Sequence, residues 1–391
     1  MGLNTSNKIK FKDALEMVKY ELLAQEEGVV KQVPTLAGKP GIGKTESLKA
    51  LAKNLGYELI VTQLSAVAPE EFSGIPDFID APEDFAKKYS TTGADKAKFT
   101  RWSIPELVAT ANYRANEIKK KGGKGIVILF DDIHAADPAL ERYMFNLFLD
   151  KTVGQYRLAD NVLVCAAMND SDEAGFRGFN AAVLDRLAIY SVDFDFDSWY
   201  KIMNSKLDHV IAAYLRNHKE RVLGEECVDK VTPSPRSWTE LSNLIKFMRS
   251  KNINVNNNIL NTAARARVGE EVAAELVKFN SVYEKFDFEN LIKQPVEKIE
   301  LPTDMVEQII FAGIVRYVKN KKDGEKIIKL IEKYRDKKLF VSELINETAV
   351  LFGNSHFKKN EGIKVIANWI IDTDDKEISE AFKDLTSCIV L

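Results

Sequence analysis

Cysteine is scarce in this sequence, with three residues in 391, at positions 165, 227 and 388. Far apart, odd in number and without metal-ligand spacing, Cys165, Cys227 and Cys388 exclude a disulfide framework and a zinc site, and they suit a reducing compartment. Long apolar runs are missing too: no stretch approaches the roughly 18 residues that a membrane span needs. The first residues, with Lys8, Lys10 and Lys12, lack the apolar core of a signal peptide. The expectation is a cytoplasmic protein with no membrane partner. An excess of charge of one sign is also absent. A formal net charge of −3 gives no global attraction to nucleic acid or to an anionic surface. Repeats and low-complexity tracts are not found. What is present is a hydrophobic fraction of 45%, enough for a sizeable core, in a chain long enough for two or three domains.

The most informative stretch is Gly38-Lys39-Pro40-Gly41-Ile42-Gly43-Lys44-Thr45, which reads G-x-x-x-x-G-K-[ST], the phosphate-binding P-loop. It follows a short extended segment, Val33 to Ala37. It opens a helix predicted over Thr45 to Leu55, where Leu48, Leu51, Ala52 and Leu55 share a face and Gly56 supplies the stop. The chemistry needs this order, because phosphates are held by backbone N–H groups converging at a helix N-terminus. The glycines let the backbone come close, and Pro40 stiffens the approach. Lys44 reaches the β- and γ-phosphates, and the Thr45 hydroxyl ligates Mg²⁺.

An N-terminal helix carrying Phe11, Leu15, Val18 and Leu22 is expected to pack on the core ahead of the first strand. After the P-loop helix, Leu59 to Leu64 reads as a strand. The stretch Glu71 to Phe78 places apolar side chains beside Gly and Pro, which predicts a loop. Phe72 and Phe78 on it either serve binding or tuck beneath it as a local core. A helix is expected from Pro105 to about Lys120, and the Lys119 to Lys124 run reads as a solvated turn.

The strongest strand is Ile126-Val127-Ile128-Leu129-Phe130, apolar throughout as an inner strand of a parallel sheet should be. It ends in Asp131-Asp132, two acids that are costly to bury and ask for a cation or a proton. In a P-loop protein the first holds Mg²⁺ and the second polarises the attacking water. Another buried strand, Asn161 to Asn169, ends in an amide. A strand from Ala188 to Phe194 closes the α/β region, with Asp193 to Asp197 read as its polar exit. From Ser198 onward the periodicity is helical, including one helix from about Asn257 to Tyr283. A proline-marked linker over Lys293 to Pro302 precedes a further set of helical stripes.

P-loop, acidic strand end, polar strand end and helical tail, in that order, resemble an AAA+ ATPase over roughly residues 30 to 285. Gly74-Ile75-Pro76, Trp102 with Pro105, and Leu184-Asp185-Arg186 resemble the MoxR-like, dynein-related branch. The resemblance implies an α/β P-loop core over residues 30–197 with a parallel five-stranded sheet, behind an N-terminal helix in residues 1–29. An α-helical lid over 198–290 and an all-α region over 291–391 follow. It implies ATP and Mg²⁺ as cofactors, held by Gly38, Lys39, Pro40, Gly41, Ile42, Gly43, Lys44, Thr45 and Glu46, with Thr45 and Asp131 at the metal. Asp132 then polarises water, Asn169 is sensor 1, Arg186 is the finger entering a neighbour's site, and Arg236 is sensor 2. The family has Glu where this chain has Asp132, which sets the carboxylate back by one methylene.

As partners the resemblance implies other copies of the chain, in a ring of six, and a protein to be remodelled. A nucleic-acid motor or loader, and a scaffold that binds ATP but hydrolyses it slowly, are the rival expectations. The charge balance and the lack of a basic stripe favour the protein substrate. Asn320-Lys321-Lys322-Asp323 spells the N-K-x-D string of GTPases, but it lies among helical stripes far beyond the sheet and is read as coincidence.

Overall fold

A computed structural model describes residues 8–81, 98–170, 179–204, 206–225, 230–353, 359–375, 378, 379 and 382. The chain forms two compact units, Met1–Phe194 and Asp195–Leu391. Cys227, Cys388 and most of the last expected helical stripe lie outside the described residues.

The first unit is built on a parallel sheet. Its strands are β1 (Ile9–Lys10), β2 (Val33–Ala37), β3 (Tyr57–Gln63), β6 (Gly125–Asp131), β9 (Val162–Met168) and β10 (Leu187–Asp193), in the order β1-β10-β2-β9-β6-β3. The inner strands β2 and β9 are buried along their whole length, as is β6 up to Phe130. This is why they read as unbroken apolar runs. The edge strand β3 is only part-buried and mixes polar with apolar residues. Helix α1 (Phe11–Glu26) lays Ala14, Val18 and Leu22 on the sheet. Gln25 at its end donates to Val164 O and accepts from Val164 N, both at 3.1 Å.

Three expectations about this unit are corrected. The sheet has six strands, not five. The sixth, β1, is two residues at the edge beside β10, too short to show a period in the sequence. The stretch expected as a loop is the helical turn α3 (Pro69–Ser73) followed by strand β4 (Pro76–Asp80), which pairs antiparallel with β5 (Lys98–Trp102). Gly74 joins them at φ 75°, where a Cβ would sit 2.2 Å from Ser103 O. Phe72 is therefore not a surface grip: it is 3% exposed and its ring centroid lies 6.3 Å from that of Phe130. Phe78, by contrast, is 64% exposed. The exit segment Asp193 to Asp197 turns directly into helix α7 (Phe196–Met203), because Asp195 accepts from Ser198 N as its N-cap. Between these elements lie α2 (Lys44–Asn54), α4 (Glu106–Lys120), α5 (Glu141–Asp150), the small hairpin β7 (Thr152–Val153) and β8 (Tyr156–Arg157), and α6 (Ala181–Leu184).

The second unit is helical: α7, α8 (His209–Asn217), α9 (Pro235–Ser250), α10 (Asn257–Val268), α11 (Glu270–Tyr283), α12 (Phe288–Leu291), α13 (Met305–Ala312), α14 (Lys321–Lys333), α15 (Lys338–Gly353) and α16 (Glu361–Asp372). The single helix expected over Asn257 to Tyr283 is broken at Gly269, φ 86°, where a Cβ would meet Val231 O at 2.5 Å. Uninterrupted periodicity on either side hides a reversal that one glycine makes. The N-K-x-D string is a capping box: Asn320 accepts from Asp323 N, and the Asp323 carboxylate accepts from Asn320 N.

A buried charge cluster ties α8 to α15 and to the turn Gly313–Tyr317. Arg216 meets Glu343 and Glu347 at 2.5 Å each, Arg316 meets Glu347 at 3.0 Å, and Arg316 also donates to Asn204. Burial alone would raise the Glu347 carboxyl, but the two guanidinium groups hold it below the usual carboxylate range. Removing one partner strands the other charges in a dry site. Glu347→Ala should therefore lower the unfolding free energy by about 3–5 kcal/mol. Helices on both sides of the proline-marked segment should melt in one transition, read by urea unfolding with hydrogen exchange.

Near this cluster, half-buried His209 lies between Tyr283 and Arg249. Burial pushes its imidazole down to about 4; Asp208 opposes the shift, while Arg249 and Arg316 add to it. The unfolded chain takes up this proton near pH 6.5, whereas the folded one does so only near 4. The neutral ring's contribution is thus whole above about pH 6.5 and is lost progressively as pH falls toward 4. His209→Phe should show a shallower loss of urea midpoint between pH 7 and 5 than the parent chain.

Candidate functional site

The P-loop runs from the end of β2 into α2 at the carboxyl edge of the sheet. Gly41 and Gly43 have φ of 73° and 100°, in the left-handed region that side chains other than Gly disfavour. Gly38 is needed for space: a Cβ there would sit 2.9 Å from Val192 O and from Ile42 Cδ1. Ile42 is buried beneath the loop, and Pro40 forms part of its turn. Left-handed glycines ahead of a helix N-terminus are what a cradle of backbone N–H groups for an anionic phosphate chain requires.

Lys44 is 7% exposed. Its Nζ donates to Gly38 O at 2.6 Å, Lys39 O at 2.9 Å and Asn169 Oδ1 at 3.1 Å. Next to it, Thr45 Oγ1 donates to Asp131 Oδ2 at 2.7 Å. A hydroxyl and a carboxylate at this separation are hard oxygen donors fit for Mg²⁺, which characteristically takes one or two protein oxygens and completes its shell with water and phosphate. Among the described residues no cluster of three or more His, Cys, Asp or Glu forms an all-protein metal cage. The Asp131 carboxylate also accepts from Asp132 N at 3.1 Å. Asp132 is left-handed, φ 51° and ψ 39°, and its Oδ2 accepts from Gln63 Nε2 at 3.1 Å.

The residues expected from the sequence divide into three groups. Lys44, Thr45, Asp131, Asp132 and Asn169 are brought together by β2, β6 and β9. Glu46, expected among the nucleotide ligands, turns its side chain outward to Lys49 at 2.7 Å, so that only its backbone faces the loop. Arg186 is folded onto its own chain: Nη1 donates to Ala182 O at 2.6 Å, Nε donates to Phe145 O at 3.1 Å, and the guanidinium lies 5.3 Å from the Phe145 ring centre. Arg236 belongs to the second unit, exposed on the first turn of α9.

Sequence reasoning missed four side chains here. Gln63, at the end of β3, holds Asp132. His134 Nδ1 accepts from Asn169 N at 3.3 Å. Burial pushes the His134 imidazole below its ordinary value, with Asp132 opposing and Lys44 adding to the depression; an Nδ1 that accepts from a backbone N–H carries no proton. Asp170, 4% exposed, pairs with Lys8 at 2.8 Å, and Lys8 reaches Asp193 at 3.4 Å. His134 stands three residues after the first acid, and Asp170 follows the sensor amide. Adjacency was the available signal, but the contacts depend on tertiary geometry.

Residues 34–189 match the ATPase family associated with various cellular activities, AAA. This stretch is an AAA ATPase domain. It holds every site residue just described except Lys8, Asp193 and Arg236, and its strands carry the P-loop and the acids. Among solved structures, the Thermotoga maritima RuvB Holliday junction branch migration motor is 15% identical, with 73% of this chain and 75% of that chain covered at a TM-score of 0.37. A substituted form of the same Thermotoga maritima RuvB is 14% identical, with 73% and 75% covered at a TM-score of 0.38. No curated protein matches the sequence. No helix among the described residues is long and apolar enough to cross a membrane.

The P-loop geometry predicts that Lys44 serves phosphate and not the core. Lys44→Ala should lower affinity for a fluorescent ATP analogue by at least about tenfold, the effect of one charge-assisted hydrogen bond of roughly 1.5–3 kcal/mol. The far-UV spectrum should stay unchanged. Unaltered affinity would remove the P-loop from the site.

Proposed function

We propose that the chain is a MoxR-like ATP hydrolase that works as a homo-oligomer, a ring of six on that branch's pattern, and remodels a protein partner. The observation that carries this reading is the convergence of Lys44, Thr45, Asp131, Asp132 and Asn169 at one sheet edge. Mg²⁺, when bound, neutralises charge on the phosphoryl oxygens. Thr45 Oγ1 and the Asp131 carboxylate, now hydrogen-bonded to each other, would hold it. Lys44 turns its Nζ from Asn169 Oδ1 and the loop carbonyls of Gly38 and Lys39 to phosphate oxygens. An Asp132 carboxylate oxygen accepts a hydrogen bond from water and aligns it for attack, with the Asn169 amide fixing the water from the other side.

Arg186 acts in the neighbouring copy's site. In the single chain it caps α6 and lies along Phe145, so delivery to a phosphate requires exchanging the Ala182 and Phe145 carbonyls for phosphate oxygens across an interface. Arg236 meets the γ-phosphate from within its own chain. The exposed Ile75, Phe78 and Trp102 at the paired strands β4 and β5 suit a polypeptide partner, and Asp77 and Asp80 there balance Lys98 and Arg101, which leaves no net basic surface for a phosphate backbone. One observation favours the slow-hydrolysing scaffold as a second reading: Gln63 already occupies Asp132 Oδ2, and the side chain is a methylene shorter than Glu.

Asp132→Asn should bind ATP like the parent and lose turnover by on the order of a hundredfold or more. Mixing Lys44→Ala with Arg186→Ala chains, each nearly inactive alone, should restore turnover. A finger supplied across an interface is worth about 10³ to 10⁵ in rate. Phosphate release against protein concentration reads both. A monomeric chain with concentration-independent turnover would defeat the ring, and a parent as slow as Asp132→Asn would favour the scaffold.

A further inference from the structure

The amide of Asn169 lies just past the end of the sheet ladder. β9 pairs with β2 as far as Met168 opposite Ala37, and with β6 only as far as Ala166 opposite Phe130. The next N–H, that of Asn169, is taken by an imidazole, His134 Nδ1 at 3.3 Å. His134 sits in the short turn Ile133–Ala135 that follows Asp132. Ile133, immediately before it, is fully buried in the core, so the turn is anchored from below.

Asn169 has a second tether, on its side chain. Its Oδ1 accepts from Lys44 Nζ, whose other described partners are Gly38 O and Lys39 O. An ammonium group has three N–H donors. Lys44 therefore cannot meet phosphate without giving up at least one of these oxygens. When the Asn169 side chain is released, the contact among the described residues that still keeps it aimed at the site is the one on its backbone. The backbone contact from His134 does not involve Lys44, and it joins the turn after the acids to the strand that carries the amide.

We propose that His134 is a positioning residue for ATP hydrolysis: its imidazole Nδ1 holds the backbone of Asn169, so that the Asn169 side chain keeps its place when Lys44 turns to phosphate. This rests on the hydrolase reading given above. It also explains why a neutral acceptor ring is useful at this point, with Asp132 two residues before it and Lys44 nearby. The effect belongs to turnover and not to affinity, since the loop that binds phosphate is built without His134.

The test uses the full chain with His134→Ala and His134→Asn. Asn carries an acceptor oxygen at the position of Nδ1, so it restores the contact without the ring. His134→Ala should bind the fluorescent ATP analogue within about threefold of the parent but lose turnover by on the order of ten- to a hundredfold, the scale of a small misplacement of a reacting group. His134→Asn should recover most of that loss. Hydrogen exchange of the peptide spanning residues 166–170 should quicken in His134→Ala and slow again in His134→Asn. Parental turnover in His134→Ala, or equal loss in both variants, would overturn the proposal. A parent that binds ATP without hydrolysing it would instead defeat the hydrolase reading. In that case the exchange experiment decides alone: unchanged exchange in His134→Ala overturns the contact, and quickening reversed by Asn upholds it.

Discussion

The first unit depends on one constraint, the accommodation of the Lys44 ammonium group at the carboxyl edge of its sheet. A cation that is 7% exposed has lost most of its water and must be met by oxygen from the protein. The loop supplies its own carbonyls at Gly38 and Lys39, and β9 supplies Asn169 Oδ1. For those carbonyls to face inward the chain must turn through left-handed backbone at Gly41 and Gly43, and Gly38 must pass against Val192 without a side chain. The strand order follows the same need. β2 must lie between β10, whose Val192 closes over Gly38, and β9, whose end carries the amide. On the proposed reading, phosphate can replace these oxygens one for one, which limits the reorganisation that binding requires.

The second unit handles charge differently. Arg216, Arg316, Glu343 and Glu347 pair with one another and Arg316 donates to Asn204, although Asn204 Nδ2 and Glu343 Oε2 make no hydrogen bond among the described residues. Such a cluster adds little net stability over apolar packing, but losing any member is costly, so it specifies which helices meet. Lys326 and Lys333 add to this by donating to the carbonyls of Ile292, Val296 and Ile299. The proline-marked segment is tied to α14 along its length. Prolines there mark irregular backbone and say nothing about looseness.

How much was legible follows the physics of each feature. β2, β6 and β9 were readable almost to the residue, because full burial forces unbroken apolar runs. The P-loop was readable because its chemistry needs particular residue types at fixed spacing. Strand β1 was not, since two residues carry no period. Phe72 stays open between binding and core in the sequence, because an apolar residue among Gly and Pro looks the same whether it points out or in, and only the packing against Phe130 decides. The reversal at Gly269 was hidden because helical periodicity continues in phase across it. The contacts of His134, Gln63 and Asp170 join residues that are 35, 69 and 162 positions apart, and no local pattern reports such pairs.

The aspartate at position 132 looks from the sequence like a weakened general base. The backbone gives a different account of the residue choice. Asp132 is one of three residues other than Gly at positive φ among the described residues, with Lys151 and Asn252. Left-handed backbone costs an ordinary L-residue roughly 1–2 kcal/mol, and Asp and Asn adopt it several-fold more readily than most side chains. A short acid is therefore favoured where β6 must turn abruptly so that Ile133 enters the core and His134 faces the end of β9. On the hydrolase reading proposed above, lengthening the side chain to Glu would extend reach toward the attacking water while straining the turn that carries His134. Catalytic reach and turn geometry pull in opposite directions at this position. The residue present is the one that favours the turn.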